Sequence, residues 1–298
     1  MSGQTAPTPR SIAVFILLAL VWGSTWLVIK DQISLVPPAW SVVWRFVLAA
    51  AAMAALALLR GKRMRLSGRE QALAAAMGLF QFSLNFQLIY RSEHYLTSGL
   101  VAVVFALMIV PNAVLGRLVL GNPMSGRFLA GSGIALAGIA MLMIHEYRIA
   151  PPDGGVLTGT LLVTLAILSV SVGNLLQATP TARGVPVVAL MAWGMIWGTG
   201  LSAAYALFFI GLPQFDPRPG YIAGIAYLGL AGSALTFPLY SQLIRDWGPG
   251  RAAYNSVAVP VVAMALSTVF EGYRWTALAA GGAALAMSGL LIALSGRK

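Results

Sequence analysis

The sequence has no cysteine, only two histidines and few charged residues among its 298 positions. The lack of cysteine excludes disulfides, thiolate nucleophiles and cysteine-ligated metals. Charged residues make up 9% of the chain, whereas roughly 25% is typical of soluble domains. Hydrophobic residues make up 59%, more than a soluble chain of this length could bury. The composition therefore predicts that lipid surrounds the protein, and we expect no cofactor and no metal.

Ten apolar segments fill the chain, and each approaches the roughly 20 residues that cross a bilayer as a helix. The first segment follows Arg10 but has no small-residue cleavage site, so we predict an uncleaved span rather than a signal peptide. Ser67 and Glu70 form a capping-box pattern, and Pro219 suits a first helical turn. The predicted fold class is an all-α integral membrane protein with ten transmembrane helices, near residues 12–30, 38–59, 71–90, 95–119, 126–144, 157–177, 186–210, 220–244, 250–270 and 275–295.

Residue types recur at an offset of 149, which is half of the chain length. Tryptophan is rare and proline within a span is costly, so matches of these types carry the argument. Five spans per half is an odd number, so the second half must begin on the opposite membrane face. We therefore predict two inverted five-helix repeats, 1–147 and 148–298, an arrangement typical of transporters. The matched pairs are Pro37 and Pro186, Trp44 and Trp193, Ser92 and Ser241, and Pro111 and Pro260.

Lysine and arginine are distributed unevenly between the predicted connections. With the N-terminus inside, 13 of them lie on the inner side and five on the outer side, and Arg45 lies within the second span. The positive-inside rule then predicts that both termini are cytoplasmic. The same bias accounts for the net charge of +11 without a nucleic-acid partner.

Three groups of residues resemble a known family. The first span contains Trp22-Gly-Ser-Thr-Trp followed by Lys30, and the second contains Trp44-Arg-Phe. Each half then has a proline and a turn: Pro111 with Leu120-Gly-Asn-Pro, and Pro260 with Phe270-Glu-Gly. On these residues the chain resembles the drug/metabolite transporter superfamily in its ten-helix EamA-type branch, and within it the bacterial amino-acid exporters of the YddG type. The family often has glutamate where this chain has Asn122, whereas Glu271 fits the pattern.

The resemblance implies a multi-pass protein of the bacterial inner membrane that exports amino acids, including aromatic ones. It implies alternating access about a cavity lined by spans 1, 3, 4, 6, 8 and 9. An exporter of drugs, organic cations or other small metabolites is the alternative. We expect a monomer whose partners are its small-molecule substrate and membrane lipid. We do not expect an enzyme, because the spans lack clustered acids, histidine or cysteine.

Polar and aromatic side chains within the spans are the candidate substrate-binding residues. A carboxamide suits an amino acid because it offers both a donor and an acceptor, although it could instead join two helices. Tryptophan can attract an ammonium group through its ring face, or can anchor a span at the interface. Trp22 and Trp26 share a helix face with Lys30. The candidates are Trp22, Trp26, Gln81, Asn85, Asn174, Gln177, Tyr227, Tyr254 and Asn255.

Pro111 and Pro260 are the candidate hinges, because each removes a helical hydrogen bond at the same position of its half. A static kink is the alternative. Arg45 could hold a substrate carboxylate, or could reach Asp31 or the outer interface. No acidic residue lies in the middle of a span, which favours a facilitator or exporter without a carboxylate proton relay.

Overall fold

A computed structural model describes residues 8–150, 155–247 and 249–295. Every regular element in these ranges is a helix. Nine of the helices described there are long and apolar enough to cross a membrane, and one further apolar helix is shorter, at 16 residues. The helices are α1 (Pro9–Gln32), α2 (Pro38–Leu59), α3 (Gly68–Ser92), α4 (Ser98–Leu120), α5 (Gly126–Ile149), α6 (Val156–Gln177), α7 (Val187–Phe209), α8 (Pro219–Ile244), α9 (Asn255–Phe270) and α10 (Ala277–Ser295).

The predicted spans agree with these helices in order, and they differ most at α9. The predicted span 250–270 is divided into a short helix, Pro249–Ala252, and α9 itself. With 16 residues, α9 covers only about 24 Å at ~1.5 Å per residue, less than the ~30 Å hydrocarbon core. The capping box that begins α3 is confirmed: Glu70 Oε2 accepts a hydrogen bond from the Ser67 main-chain nitrogen at 2.7 Å.

Large apolar side chains lie on the outside of the bundle. Phe208 and Leu59 are each 86% exposed. In water, exposure of these side chains would forgo the favourable free energy of apolar burial. Lipid is itself apolar, so exposure to lipid carries no such cost. Helices also satisfy their own main-chain polar groups, as a hydrocarbon environment demands. The chain is therefore a multi-pass membrane protein.

Helices α5 and α10 pack closely through glycines. A Cβ atom on Gly138 would lie 2.3 Å from the main-chain nitrogen of Ala286, and one on Gly131 would lie 2.3 Å from that of Ala293. Gly282 and Gly289 of α10 face α5 in the same way. Because lipid supplies no hydrophobic drive between helices, such close van der Waals approach is what stabilises the pair.

Six of the remaining helices form a continuous row of neighbours in the order α8, α1, α9, α4, α6 and α3. Helices α2 and α7 pack against each other, α2 also against α8, and α7 also against α3. Gly78 allows the close contact between α3 and α7, since a Cβ atom there would lie 2.8 Å from the Gly194 carbonyl oxygen. The six helices of this row are those that the family resemblance assigns to the cavity.

Two helices change to π-helical geometry near their middles. The π segments are Gly78–Leu84 in α3 and Tyr227–Leu235 in α8, and their first residues are 149 positions apart. A 3₁₀ turn, Ala106–Met108, interrupts α4 shortly before Pro111. Because π segments leave irregular main-chain groups and often lie at functional sites, they direct attention to the side chains around them.

Candidate functional site

Three of the four predicted carboxamides, Gln81, Asn174 and Gln177, join α3, α4 and α6. Gln177 donates from Nε2 to Gln81 Oε1 at 2.7 Å, and Asn174 donates to Asn112 Oδ1 at 3.4 Å. Asn85 donates to the main-chain oxygen of Gln81 at 3.4 Å, and its own Oδ1 is buried without a partner. These side chains lie at and beside the π segment of α3, and the buried acceptor Asn85 Oδ1 is left free.

The bond between Gln81 and Gln177 predicts a measurable coupling. In the variant Gln81→Leu, the amide of Gln177 loses its acceptor, so the single substitutions and the double substitution are not additive. We expect a coupling free energy of about 1 kcal/mol from thermal unfolding in detergent, in the range of hydrogen bonds between membrane helices. Gln81→Leu combined with Trp275→Phe, which is far along the chain and bonds to Thr268, is the control. Equal coupling in both cycles would contradict the assignment.

Aromatic and hydroxyl groups join α1 to the π segment of α8 and to the helical turns that follow it. Trp22 donates from Nε1 to Thr236 Oγ1 at 3.0 Å, and its ring centroid lies 5.2 Å from that of Tyr240. Ser24 Oγ and Tyr227 Oη lie 2.7 Å apart. Two of the candidates, Trp22 and Tyr227, are thus brought to the same helix pair, apart from the carboxamide network on α3 and α6.

The other candidates have separate neighbours. Trp26 is buried, with its ring 5.3 Å from that of Phe105 in α4. Asn255 donates to the main-chain oxygen of Phe15 at 3.0 Å and so joins α9 to α1, while its Oδ1 is buried without a partner. Tyr254 is half-buried against the core. The common helix face of Trp22 and Trp26 therefore meets two different helices.

The candidate hinges occupy unequal positions in their helices. Pro111 is the third residue of the helical segment that follows the 3₁₀ turn, where a missing amide hydrogen costs little. Pro260 lies in the interior of α9 and is buried. It borders an apolar groove of about 440 Å³ between α4, α9 and α10, together with Met264 and Trp275. A second groove, of about 300 Å³, lies between α3 and α6, and neither groove is lined by the polar candidates.

Arg45 is a buried cation at the junction of α2, α3 and α8. Its exposed fraction is 4%, and its guanidinium donates to Ser233 Oγ at 3.3 Å and to Tyr90 Oη at 3.5 Å. The guanidinium carbon lies 4.5 Å from the ring centroid of Phe86. Nε has no partner, and no described carboxylate forms a salt bridge with this side chain. The predicted alternative contact with Asp31 is therefore not made.

Glu93 is a buried acid that the sequence pattern assigned to a connection. It follows α3 directly, and its side chain is 0% exposed. Lys30 of α1 donates to the main-chain oxygens of Glu93 and Leu96, so it caps the end of α3 instead of extending outward. The one sequence signal for this arrangement is that Lys30 and Glu93 each end a span on the same predicted side.

In the described residues, the helical bundle with apolar outer surfaces, π-interrupted helices and buried polar side chains defines an α-helical multi-pass membrane protein. The model of the EamA-like transporter family matches residues 9–144 and 157–295, so the chain belongs to this family of the drug/metabolite transporter superfamily. The family is one of transporters. The resemblance predicted from the residues is confirmed at this level.

Similar proteins come from bacteria. The chain is 29% identical over 281 residues to YedA, an inner membrane transporter of Escherichia coli strain K12, covering 88% of this chain and 84% of YedA. It is 34% identical over 102 residues to the protein PagO of Salmonella typhimurium strain LT2, a match that covers 34% of this chain and 33% of PagO. A crystal structure of 19% identity, with a TM-score of 0.69 over 98% of this chain and 99% of the other, shares the fold.

Proposed function

We propose that this protein exports amino acids, including aromatic ones, across the bacterial inner membrane by alternating access between two inverted five-helix repeats, 1–147 and 148–298. Likeness to the YddG-type exporters is part of this proposal. Both termini are cytoplasmic in it, and the protein acts as a monomer in lipid without a cofactor or catalytic step. The nine candidate substrate-binding residues and the two prolines retain their proposed roles.

Equivalent features in the two halves support the repeats. The π segments begin 149 positions apart, and the family model matches each half separately. Trp44 donates to the main-chain oxygen of Gln214 at 2.8 Å, and Trp193 donates to that of Met64 at 2.8 Å. Each tryptophan thus binds the connection that follows the corresponding helix of the other half.

The contacts between helices also support two equivalent halves, because replacing each helix by its counterpart in the other half turns the most extensive contacts into contacts that are also present. Contacts of α1 with α9 correspond to those of α6 with α4, and contacts of α2 with α8 correspond to those of α7 with α3. In the pairs α2–α7, α4–α9 and α5–α10, each helix contacts its own counterpart in the other half. Two such halves can rock against each other about a site between them.

The guanidinium of Arg45, which forms no salt bridge with a described carboxylate, carries the choice of substrate. Arginine stays protonated in proteins, and a buried charge without a counter-ion costs several kcal/mol. A substrate carboxylate would remove that cost by accepting from Nε and the neighbouring nitrogens. The free acceptor Asn85 Oδ1, next in the chain to the Phe86 ring that packs against Arg45, suits an ammonium group. A fixed buried cation disfavours organic cations, which are the alternative cargo.

Counterflow in proteoliposomes tests the proposal. Vesicles loaded with unlabelled tryptophan or phenylalanine are expected to accumulate the labelled amino acid, because the carrier exchanges one for the other. Vesicles with tryptamine, which lacks the carboxylate, are expected to show little exchange. Empty vesicles provide the background. Exchange of tryptamine and other organic cations without exchange of any amino acid would refute the amino-acid assignment in favour of the alternative.

A further inference from the structure

The carboxyl group of Glu93 is buried without a hydrogen-bond donor. It lies in the turn between α3 and α4, and both of its oxygens lack partners. A carboxylate in such a place would lose its hydration and gain no hydrogen bond in return. A protonated carboxyl avoids most of this cost, since it carries no charge.

The charged side chains nearest to the Glu93 carboxyl form their hydrogen bonds with groups other than that carboxyl. Lys30 donates to two main-chain oxygens, and no described cation forms a salt bridge with the Glu93 carboxyl. Glu271 accepts from the Ser98 main-chain nitrogen at 3.1 Å and from its hydroxyl, so it caps the start of α4. Neither side chain is arranged to hold Glu93 in its ionised form.

The remaining titratable neighbours lead to the same conclusion. Arg45 donates to the hydroxyls of Tyr90 and Ser233, and the side chain of His94 is exposed. Burial raises the pKa of the Glu93 carboxyl well above its usual value; Lys30 and Arg45 oppose this rise, and the negative charge of Glu271 adds to it.

We propose that Glu93 is a proton-binding site, and that closing this end of the helix bundle takes up one proton. The inference rests on the proposed alternating access, in which each end of the bundle opens and closes in turn. When this end opens, water reaches the carboxyl and the proton leaves to the solvent. Glu93 lies at a helix end, outside the middle of the spans, where the sequence has no acidic residue.

The direction of the pH effect follows from linkage. The closed end binds the proton more tightly than the open end, so low pH favours closure. As pH rises above the ordinary glutamate value of about 4.3, the ratio of open to closed protein increases, by at most about tenfold per unit for one proton. The increase stops once pH exceeds the raised pKa of the closed form.

The opposite end of the bundle has no equivalent acid. At the offset of 149, Gln242 corresponds to Glu93, Thr179 to Lys30 and Asn122 to Glu271. Proton binding is therefore a property of one end, and glutamine stands at the corresponding position of the other half. Glu93→Gln mimics the protonated carboxyl with nearly the same shape, and it is the central variant of the test.

The absence of cysteine allows the opening to be measured by labelling a single introduced thiol. Leu100, near the start of α4, is fully buried, whereas Tyr95 in the adjoining turn is 44% exposed. In nanodiscs without substrate, the maleimide labelling rate of Leu100→Cys is divided by that of Tyr95→Cys, which corrects for thiol ionisation. Ile33→Cys, another buried position, replaces Leu100→Cys if that variant does not fold.

We expect the corrected rate to increase with pH, by up to about tenfold per unit, and to become independent of pH in Glu93→Gln. His94→Asn should leave the increase unchanged. A pH-independent rate with Glu93 present, or an equal increase in Glu93→Gln, would overturn the proposal. Amino-acid counterflow is measured separately, so a protein that fails to exchange amino acids but retains the Glu93-dependent labelling refutes only the proposed substrate.

Discussion

Amino-acid counterflow is expected to fall at least about 30-fold when Arg45 is replaced by methionine. Truncating one partner of a buried, hydrogen-bonded charge pair costs about 2–5 kcal/mol, which corresponds to that factor or more. The substitution keeps the length and apolar stem of the side chain and removes the guanidinium that we propose binds the carboxylate. Arg45→Lys should recover part of the exchange, because it retains the charge but not the planar set of donors.

Protein stability separates this role from a structural one. Arg45 has no counter-ion in the described structure, so Arg45→Met removes a buried charge and should not lower the unfolding temperature of the substrate-free protein. The rise in unfolding temperature that substrate produces in the wild type should disappear. Arg127→Met, at an exposed position of α5, is the control for loss of any arginine. A variant that unfolds readily but, once stabilised, still exchanges amino acids would argue against substrate binding.

The second large effect is expected at the contact between α5 and α10. In Gly138→Ala, the new methyl group would lie 2.3 Å from the Ala286 nitrogen and 2.8 Å from its Cα atom. Both are main-chain atoms, so the helices must separate. We expect a loss of about 1–3 kcal/mol or more, measured as a lower unfolding temperature in detergent and a smaller yield of folded protein.

Gly133→Ala is the matched control on the same helix. A Cβ atom there meets nothing within 4 Å, and alanine favours a helix over glycine by up to about 1 kcal/mol. Its unfolding temperature should therefore equal or exceed that of the wild type. If the two alanine variants were equally stable, close glycine packing would not be what holds α5 against α10.

Much of the fold follows from local properties of the sequence. Apolar length predicts the helices, and the Ser67 and Glu70 pattern predicts the start of α3, because these effects act within a few residues. The short α9 was not predicted, since the break at Ala253 and Tyr254 contains neither glycine nor proline, the residues that most often mark the end of a helix. The pairing of Gln81 with Gln177 could not be read from the sequence either, because it depends on which faces of α3 and α6 meet.

For the candidate site residues too, the sequence predicted some properties and only the packing of the helices decided others. The sequence identified side chains that are costly in lipid, such as Asn85 and Asn255, because a polar group in a span is unusual wherever it points. It did not distinguish Trp22, which bonds to α8, from Trp26, which packs against α4. Their spacing places both on one face of α1, and only the neighbouring helices separate them.

By itself, the sequence determined that the chain lies in lipid, where most of its helices begin and end, and to which family it belongs. Those conclusions need only composition, periodicity and short motifs. The tertiary structure decided that Arg45 forms no salt bridge with any carboxylate in the part of the chain that the structure describes, and that Glu93 is enclosed. The physical reason is that the state of a charged group depends on the surfaces that surround it, and these are contributed by helices distant in the chain.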